Sequence, residues 1–276
     1  MLTPTQRQQY DRDGFLVLPA FRGVAALAEL RARAEALVQA FEPDAASGVF
    51  STRNPAVTAD AALIASADAV HCFFEEEAFD AAGRLVVPKD RAINKIGHAL
   101  HDRDPVFERF SHGADLAALA RDLGLAEPQV RQSMLIFKQP AIGGEVRWHQ
   151  DATFFVTEPV SVTTFWFALE DAALDNGCLW VEPGGHRGPL RERFVREGDA
   201  LRIEVLDRTP WPGEGAAVPL PCAAGTLVVF HGLLPHYSAP NRSARRRMAY
   251  TLHATDARAP YAPTNWLQRE GVRGFA

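Results

Sequence analysis

The chain has 276 residues, 47% of them hydrophobic and 23% charged, which excludes a disordered or fibrous protein. Its net charge of −5 is spread along the sequence and excludes the basic face that a nucleic-acid-binding domain needs. Cys72, Cys178 and Cys222 are too few and too scattered for a disulfide framework or a zinc motif. No apolar run approaches the ~20 residues of a membrane span. The N-terminus has no leader pattern, and Arg273-Gly274-Phe275-Ala276 is not a peroxisomal address, so a cytoplasmic protein is expected.

In chain order, Gly14 to Pro19 reads as a short buried strand. Val24 to Phe41 follows, with Leu27, Leu30, Ala34, Leu37, Val38 and Phe41 mostly three or four residues apart. That spacing lays one apolar stripe along a helix, which Pro43 is expected to end. Asp104-Pro105 opens a further helix, and Asp115–Leu123 forms another closed by Gly124. From Gln129 the pattern changes to short runs rich in Val, Thr, Phe and Trp between Gly, Pro and Asp clusters. The clearest are Val130–Gln139, Val162–Glu170, Cys178–Glu182, Leu201–Leu206, Thr226–His231 and Arg247–Ala254. The expected fold is mainly β with helices: a double-stranded β-helix of the jelly-roll or cupin kind with N-terminal helices packed on it. A single domain is expected over 1–276, with 1–125 as mainly helical support and 126–276 as the jelly-roll core. Such folds commonly carry a metal in one mouth.

The nine histidines are the place to look for that metal. In Trp148-His149-Gln150-Asp151, side chains two apart on an extended segment point to one side, so His149 and Asp151 can reach one ion. With a distant second histidine they make a facial triad, which leaves coordination positions open and suits Fe(II). The segment Phe230-His231-Gly232-Leu233-Leu234-Pro235-His236-Tyr237-Ser238 offers two candidates, which an odd spacing forbids from facing the same way on a continuous strand. His236, in a His-x-Ser motif followed by a basic run, is preferred. His71, His98, His101, His112, His186, His231 and His253 read as ordinary core or surface residues. Arg247 begins the last strand eleven residues after His236, on one face with Ala249 and Thr251. Its planar fork could grip the far carboxylate of a dicarboxylate whose other end chelates the iron. Arg245, in the preceding loop, is expected to be exposed.

These residues belong to a longer set of matches. They run from Gln9-Tyr10 and Asp13-Gly14-Phe15-Leu16-Val17-Leu18 through Phe73-Phe74-Glu75, Ile93-Asn94-Lys95-Ile96-Gly97-His98 and Phe137-Lys138-Gln139-Pro140. They continue through His149-Gln150-Asp151-Ala152, Asn176-Gly177-Cys178-Leu179-Trp180 and Pro183-Gly184-Gly185-His186 to Ala249-Tyr250-Thr251. Over nearly its whole length the chain resembles the phytanoyl-CoA dioxygenase family, and within it the branch of domain-containing proteins. The resemblance implies iron ligation by His149, Asp151 and His236, and 2-oxoglutarate contacts from Lys95, Met134, Trp166, Ser238 and Arg247. It implies Fe(II), 2-oxoglutarate as cosubstrate and O2, with hydroxylation of a small molecule as 2-oxoglutarate becomes succinate and CO2. Asp151 keeps a carboxylate in the triad, which points to hydroxylation and not to halogen transfer. Lys95 is the unexpected member, because it falls in the stretch read as helical. Arg147-Trp148 stand where relatives often have smaller residues. Phe50, Arg53, Phe154 and Phe155 are candidates for the outer pocket. A metal- or sugar-binding protein of cupin type without catalysis is the competing reading.

Overall fold

The structure, a computed structural model, describes residues 1–42, 48–52, 60–213 and 215–275. Pro43 and Arg53 lie outside the described residues. The chain opens with α1 (Pro4–Asp13), whose capping box joins Thr3 and Gln6, then β1 (Phe15–Leu18) and α2 (Val24–Ala40). Next come β2 (Val49–Phe50), α3 (Asp60–Ala65), β3 (Val70–Glu75), α4 (Lys89–Ala92) and β4 (Ile93–His98). Three helices follow: α5 (Leu100–Arg103), α6 (Pro105–Ser111) and α7 (Ala114–Asp122). Asp104 caps α6 by accepting from the backbone N–H groups of Val106 and Phe107 at 3.0 and 3.2 Å. The rest is strand: β5 (Pro128–Lys138), β6 (Val146–His149), β7 (Thr163–Ala168), β8 (Leu179–Val181), β9 (Glu192–Glu197) and β10 (Ala200–Val205). The last four are β11 (Val218–Leu220), β12 (Leu227–His231), β13 (His236–Ser238) and β14 (Arg247–Asp256).

The strands form a large sheet in the order β1-β12-β7-β14-β5-β4-β3-β2 and a small one in the order β11-β8-β13-β6. This is the expected double-stranded β-helix. One face of the large sheet, with Phe165, Phe167, Tyr250 and Leu252, packs against Leu27, Leu30, Ala34 and Val38 of α2 and Phe107 of α6. The other face meets the small sheet, Trp166, Ala168, Val228 and Ala249 lying against Leu179, Val181 and Leu234. Period-two alternation along β7 and β14 sorts their side chains between these two environments.

Lys95, expected from the helical stretch, stands on a strand: besides β1 and β2, residues 1–125 contribute β3 and β4, which extend the large sheet by pairing Lys95 with Ile136 and Phe73 with Lys95. Lys95 therefore reaches the interior from a strand.

Candidate metal centre

The site is built where the two sheets face each other. β6 and β13 pair so that His149 and His236 are direct cross-strand partners, their ring centroids 4.0 Å apart. A short turn after β6 brings Asp151 beneath them, with Oδ1 at 3.5 Å from His149 Nε2 and 3.7 Å from His236 Nε2. One donor atom from each of the three lies within 4.8 Å of the others, the geometry of a common ion. Both histidines are fixed in the right tautomer. His149 Nδ1 donates to the Arg147 carbonyl at 2.8 Å and His236 Nδ1 to the Leu234 carbonyl at 3.0 Å, which leaves each Nε2 lone pair facing Asp151. Burial pushes the His236 pKa down to about 4, so at neutral pH its ring is the neutral form that binds metal. Burial alone would raise the Asp151 pKa, but His236 and His253 beside it outweigh this and hold the carboxyl ionised. Two neutral imidazoles and one carboxylate fit a divalent first-row metal with open positions.

The residue between the ligands ties the centre together. Gln150, on the opposite face and fully buried, donates Nε2 to the carbonyls of Pro189 and Leu233 at 3.0 and 2.9 Å and accepts from Arg191 N at 2.9 Å. It thereby links the segment carrying His149 and Asp151 to the loop that leads into His236.

Of the five other expected residues, Lys95, Met134, Trp166 and Arg247 stand on the large sheet, and Ser238 on β13 is bonded to Arg247. Cross-strand pairing of Trp166 and Met134 with Thr251 puts them in one row of the inner face. Lys95 comes from the neighbouring strand, its Nζ 3.2 Å from the centroid of the Phe50 ring. At the end of β14, Arg247 is 1% exposed; its Nη2 donates to the Gly177 carbonyl at 3.0 Å and to Ser238 Oγ at 3.1 Å. Among the described residues its buried Nε and Nη1 have no partner, and the guanidinium carbon lies 5.6 Å from the Trp166 ring centroid. Gly177 can take this place because its backbone φ is +85° and a Cβ there would meet the Ala239 carbonyl at 2.6 Å.

Acidic side chains lie near this end without pairing with it, Glu75 and Glu145 toward Lys138 and Glu170 toward Arg247. Lys138 is the cross-strand partner of Arg247, and its Nζ is held by backbone carbonyls, among them Ala239 O at 2.8 Å. Among the described residues neither cation forms an ion pair, and burial pushes the Arg247 pKa down to about 10. The neighbouring arginines are spent elsewhere: Arg246 pairs with Glu170, and the exposed Arg245 pairs with Asp175.

Of the outer-pocket candidates, Phe154 stands edge-on to His149 at 6.0 Å and to Phe194 at 5.6 Å, and Lys95 rests on Phe50. Phe155 instead stacks on His253 at 5.0 Å. Arg147 shares the face of His149 and pairs with Glu192 at 2.8 Å, while Trp148 points outward and stacks on Tyr237. Two residues at the centre escaped the sequence reading. Thr164 donates its hydroxyl to Asp151 Oδ2, and His253 Nε2 lies 3.5 Å from the same oxygen. Their shared parity with Trp166 and Arg247 was the only signal that placed them on the cavity face.

A family model described as phytanoyl-CoA dioxygenase (PhyH) matches residues 10–249. The chain is 41% identical to "Phytanoyl-CoA dioxygenase" of Arabidopsis thaliana, over 97% of this chain and 94% of that one. It is 42% identical to "Phytanoyl-CoA dioxygenase domain-containing protein 1" of Bos taurus, over 97% and 95%. Among solved structures, the epimerase SnoN in complex with Fe3+, alpha ketoglutarate and nogalamycin RO shares the fold. Its TM-score is 0.66 at 19% identity, over 97% of this chain and 90% of that one. The chain belongs to the phytanoyl-CoA dioxygenase family.

Proposed function

We propose that this protein is a non-haem Fe(II)- and 2-oxoglutarate-dependent dioxygenase that hydroxylates a small molecule. In the overall reaction, one oxygen atom of O2 enters succinate, formed with CO2 from 2-oxoglutarate, and the other enters the substrate as a hydroxyl group. His149, Asp151 and His236 would hold the iron, which when bound supplies the site of oxygen activation. The observation that carries the reading is the buried guanidinium of Arg247, whose Nε and Nη1 have no partner among the described residues. Buried charge of this kind needs an anion. His236 and Ser238 stand two residues apart on β13, roughly 7 Å at strand rise, a span suited to a five-carbon dicarboxylate between metal and clamp. A metal-binding protein without cosubstrate gives the unpartnered Nε and Nη1 of Arg247 no task. SnoN, of the same fold, holds iron and alpha ketoglutarate together, which supports the reading.

The chain's residues divide the work. Arg247, with Ser238 steering one of its N–H groups, would take the distal carboxylate in a bidentate grip, and Lys95 adds positive charge from β4. Trp166 and Met134 wall the cavity and exclude water. Phe154 and Phe194 form an apolar approach on the metal side for the substrate, whose identity the reading leaves at the level of a small molecule. Among the described residues no helix is long and apolar enough to cross a membrane. The three cysteines are free thiols, which suits the reducing cytoplasm we assign to the protein.

Arg247→Leu is expected to raise the dissociation constant of 2-oxoglutarate at least tenfold, since removing one partner of a buried charge pair costs ~2–5 kcal/mol. Metal binding should stay near wild type. Arg245→Leu should change affinity by less than about 0.5 kcal/mol, as expected for an exposed side chain. Anaerobic calorimetric titration of 2-oxoglutarate into iron-loaded protein measures both. Equal weakening by the two substitutions would replace the specific clamp with a diffuse basic patch.

A further inference from the structure

We infer that Thr164 and His253 are positioning residues that hold the Asp151 carboxylate so that only its Oδ1 is presented to the metal. The two oxygens of this carboxylate have separate surroundings. Oδ1 faces the two ligand imidazoles, at 3.5 and 3.7 Å from their Nε2 atoms. Oδ2 turns toward the large sheet, where it accepts the Thr164 hydroxyl and lies 3.5 Å from His253 Nε2. Thr164 and His253 are cross-strand partners on β7 and β14, so a single rung of the sheet delivers both contacts.

The surroundings suit this task and no other visible one. Thr164 is 1% exposed and His253 is 3% exposed. The β-branched Thr164 has a stiff first torsion, which fixes the position of its Oγ. The His253 ring is stacked between sheet and loop on Phe155, with an interplanar angle of 25°, and its Nδ1 has no partner. Among the described residues its polar contact is with Asp151. Neither residue lies on the element that carries Asp151, so the large sheet fixes a ligand that the small sheet's β6 brings in.

The consequence concerns the coordination positions. A carboxylate free to turn could chelate with both oxygens and occupy a position that the dicarboxylate and O2 require. It could also swing away and weaken the triad. Occupying Oδ2 with hydrogen-bond donors prevents both, and it complements the backbone carbonyls that fix the two histidines.

This inference rests on the triad being a metal centre, and metal binding without cosubstrate tests it. The probe is Co(II), titrated into full-length metal-free protein, with its visible absorption reporting coordination. Thr164→Val keeps the shape and removes the donor. It is expected to weaken Co(II) binding about 10- to 100-fold, the usual effect of losing a partner behind a ligand, and to change the absorption spectrum. Thr164→Ser, which restores the hydroxyl, should recover most of the affinity. His253→Gln should weaken binding and change the spectrum as well. Thermal unfolding of the metal-free variants confirms that each is folded, and His253→Gln carries the test alone if Thr164→Val is not. Affinity and spectrum unchanged in both Thr164→Val and His253→Gln would overturn the assignment. So would a Thr164→Ser variant as weak as Thr164→Val, which would reveal a packing effect. A wild-type protein that binds no Co(II) would remove the metal centre and this inference with it. Binding of Co(II) but not of 2-oxoglutarate would defeat the cosubstrate reading while leaving the roles of Thr164 and His253 to their own variants.

Discussion

At the scale of single residues, hydrogen bonding separates two histidines that the sequence presents as rivals. His236 Nδ1 donates to a carbonyl, so its Nε2 lone pair is available. His231 Nδ1 accepts from Leu233 N at 3.1 Å, which places the proton on Nε2 and leaves neither nitrogen ready to ligate. His236→Ala is therefore expected to lose most bound metal and His231→Ala to retain it, measured as metal per chain after equilibration and gel filtration. The reverse result would assign the third ligand to the wrong side of the loop. The same logic covers the run Arg245–Arg247. Strand parity with Ala249 and Thr251 was enough to pick Arg247 as the interior member, because alternation is rigid once the strand is known. Parity put Thr164 and His253 on that face as well, but nothing in the sequence marked them as partners of Asp151. A threonine in a strand is ordinary β propensity, and what distinguishes this one is the carboxylate opposite it, which only pairing reveals.

At the scale of elements, legibility followed the environment of each face. β7 and β14 could be read because they are rich in the residues that strands favour, and β14 is also long. β4 could not. Its inner face carries Lys95 and Gly97 where apolar side chains would alternate, so the pattern that announces a strand is missing. Its strand character comes from pairing with β3 and β5, which local sequence cannot show. Gln150 makes the related point for the metal loops, since one side chain joins two of them through three hydrogen bonds. Gln150→Leu would leave two carbonyls and one N–H buried without partners, at about 1–3 kcal/mol for each group that water fails to reach. We expect a stability loss of about 2–4 kcal/mol and weaker metal binding, measured by chemical denaturation and by metal titration. Wild-type stability and affinity in this variant would show that the loops hold their places unaided.

Across the whole molecule, one carboxylate fastens the final segment to the helical layer. Asp102 of α5 accepts from Arg269 at 2.6 Å and from Arg273 at 2.7 Å, with His101 Nε2 at 3.2 Å. The segment then returns to the sheet, Val130 N donating to the Arg273 carbonyl at 2.8 Å and Phe275 packing on Phe165. Burial would raise the Asp102 pKa, but the bonds to His101, His112 and Arg273 win and hold it well below the usual carboxylate range. A group depressed in the folded state contributes stability above its unfolded pKa, near 3.9, that is lost as pH falls toward the folded value. Asp102→Asn is therefore expected to lower stability by about 3–5 kcal/mol at pH 7, where it breaks a largely buried charge network. It should also flatten the decline below about pH 4, measured by denaturation across pH. Parallel acid limbs in the variant and the wild type would place the acid sensitivity elsewhere. The fold, the triad and the clamp together make one claim about activity, and succinate formation tests it most directly. Protein supplied with Fe(II), 2-oxoglutarate and O2 should convert 2-oxoglutarate to succinate slowly without a substrate and faster when a screened small molecule is accepted. His236→Ala should abolish both. Iron and 2-oxoglutarate bound at full occupancy, with succinate no higher than in His236→Ala, would contradict the account and leave a metal-binding protein that does not turn over.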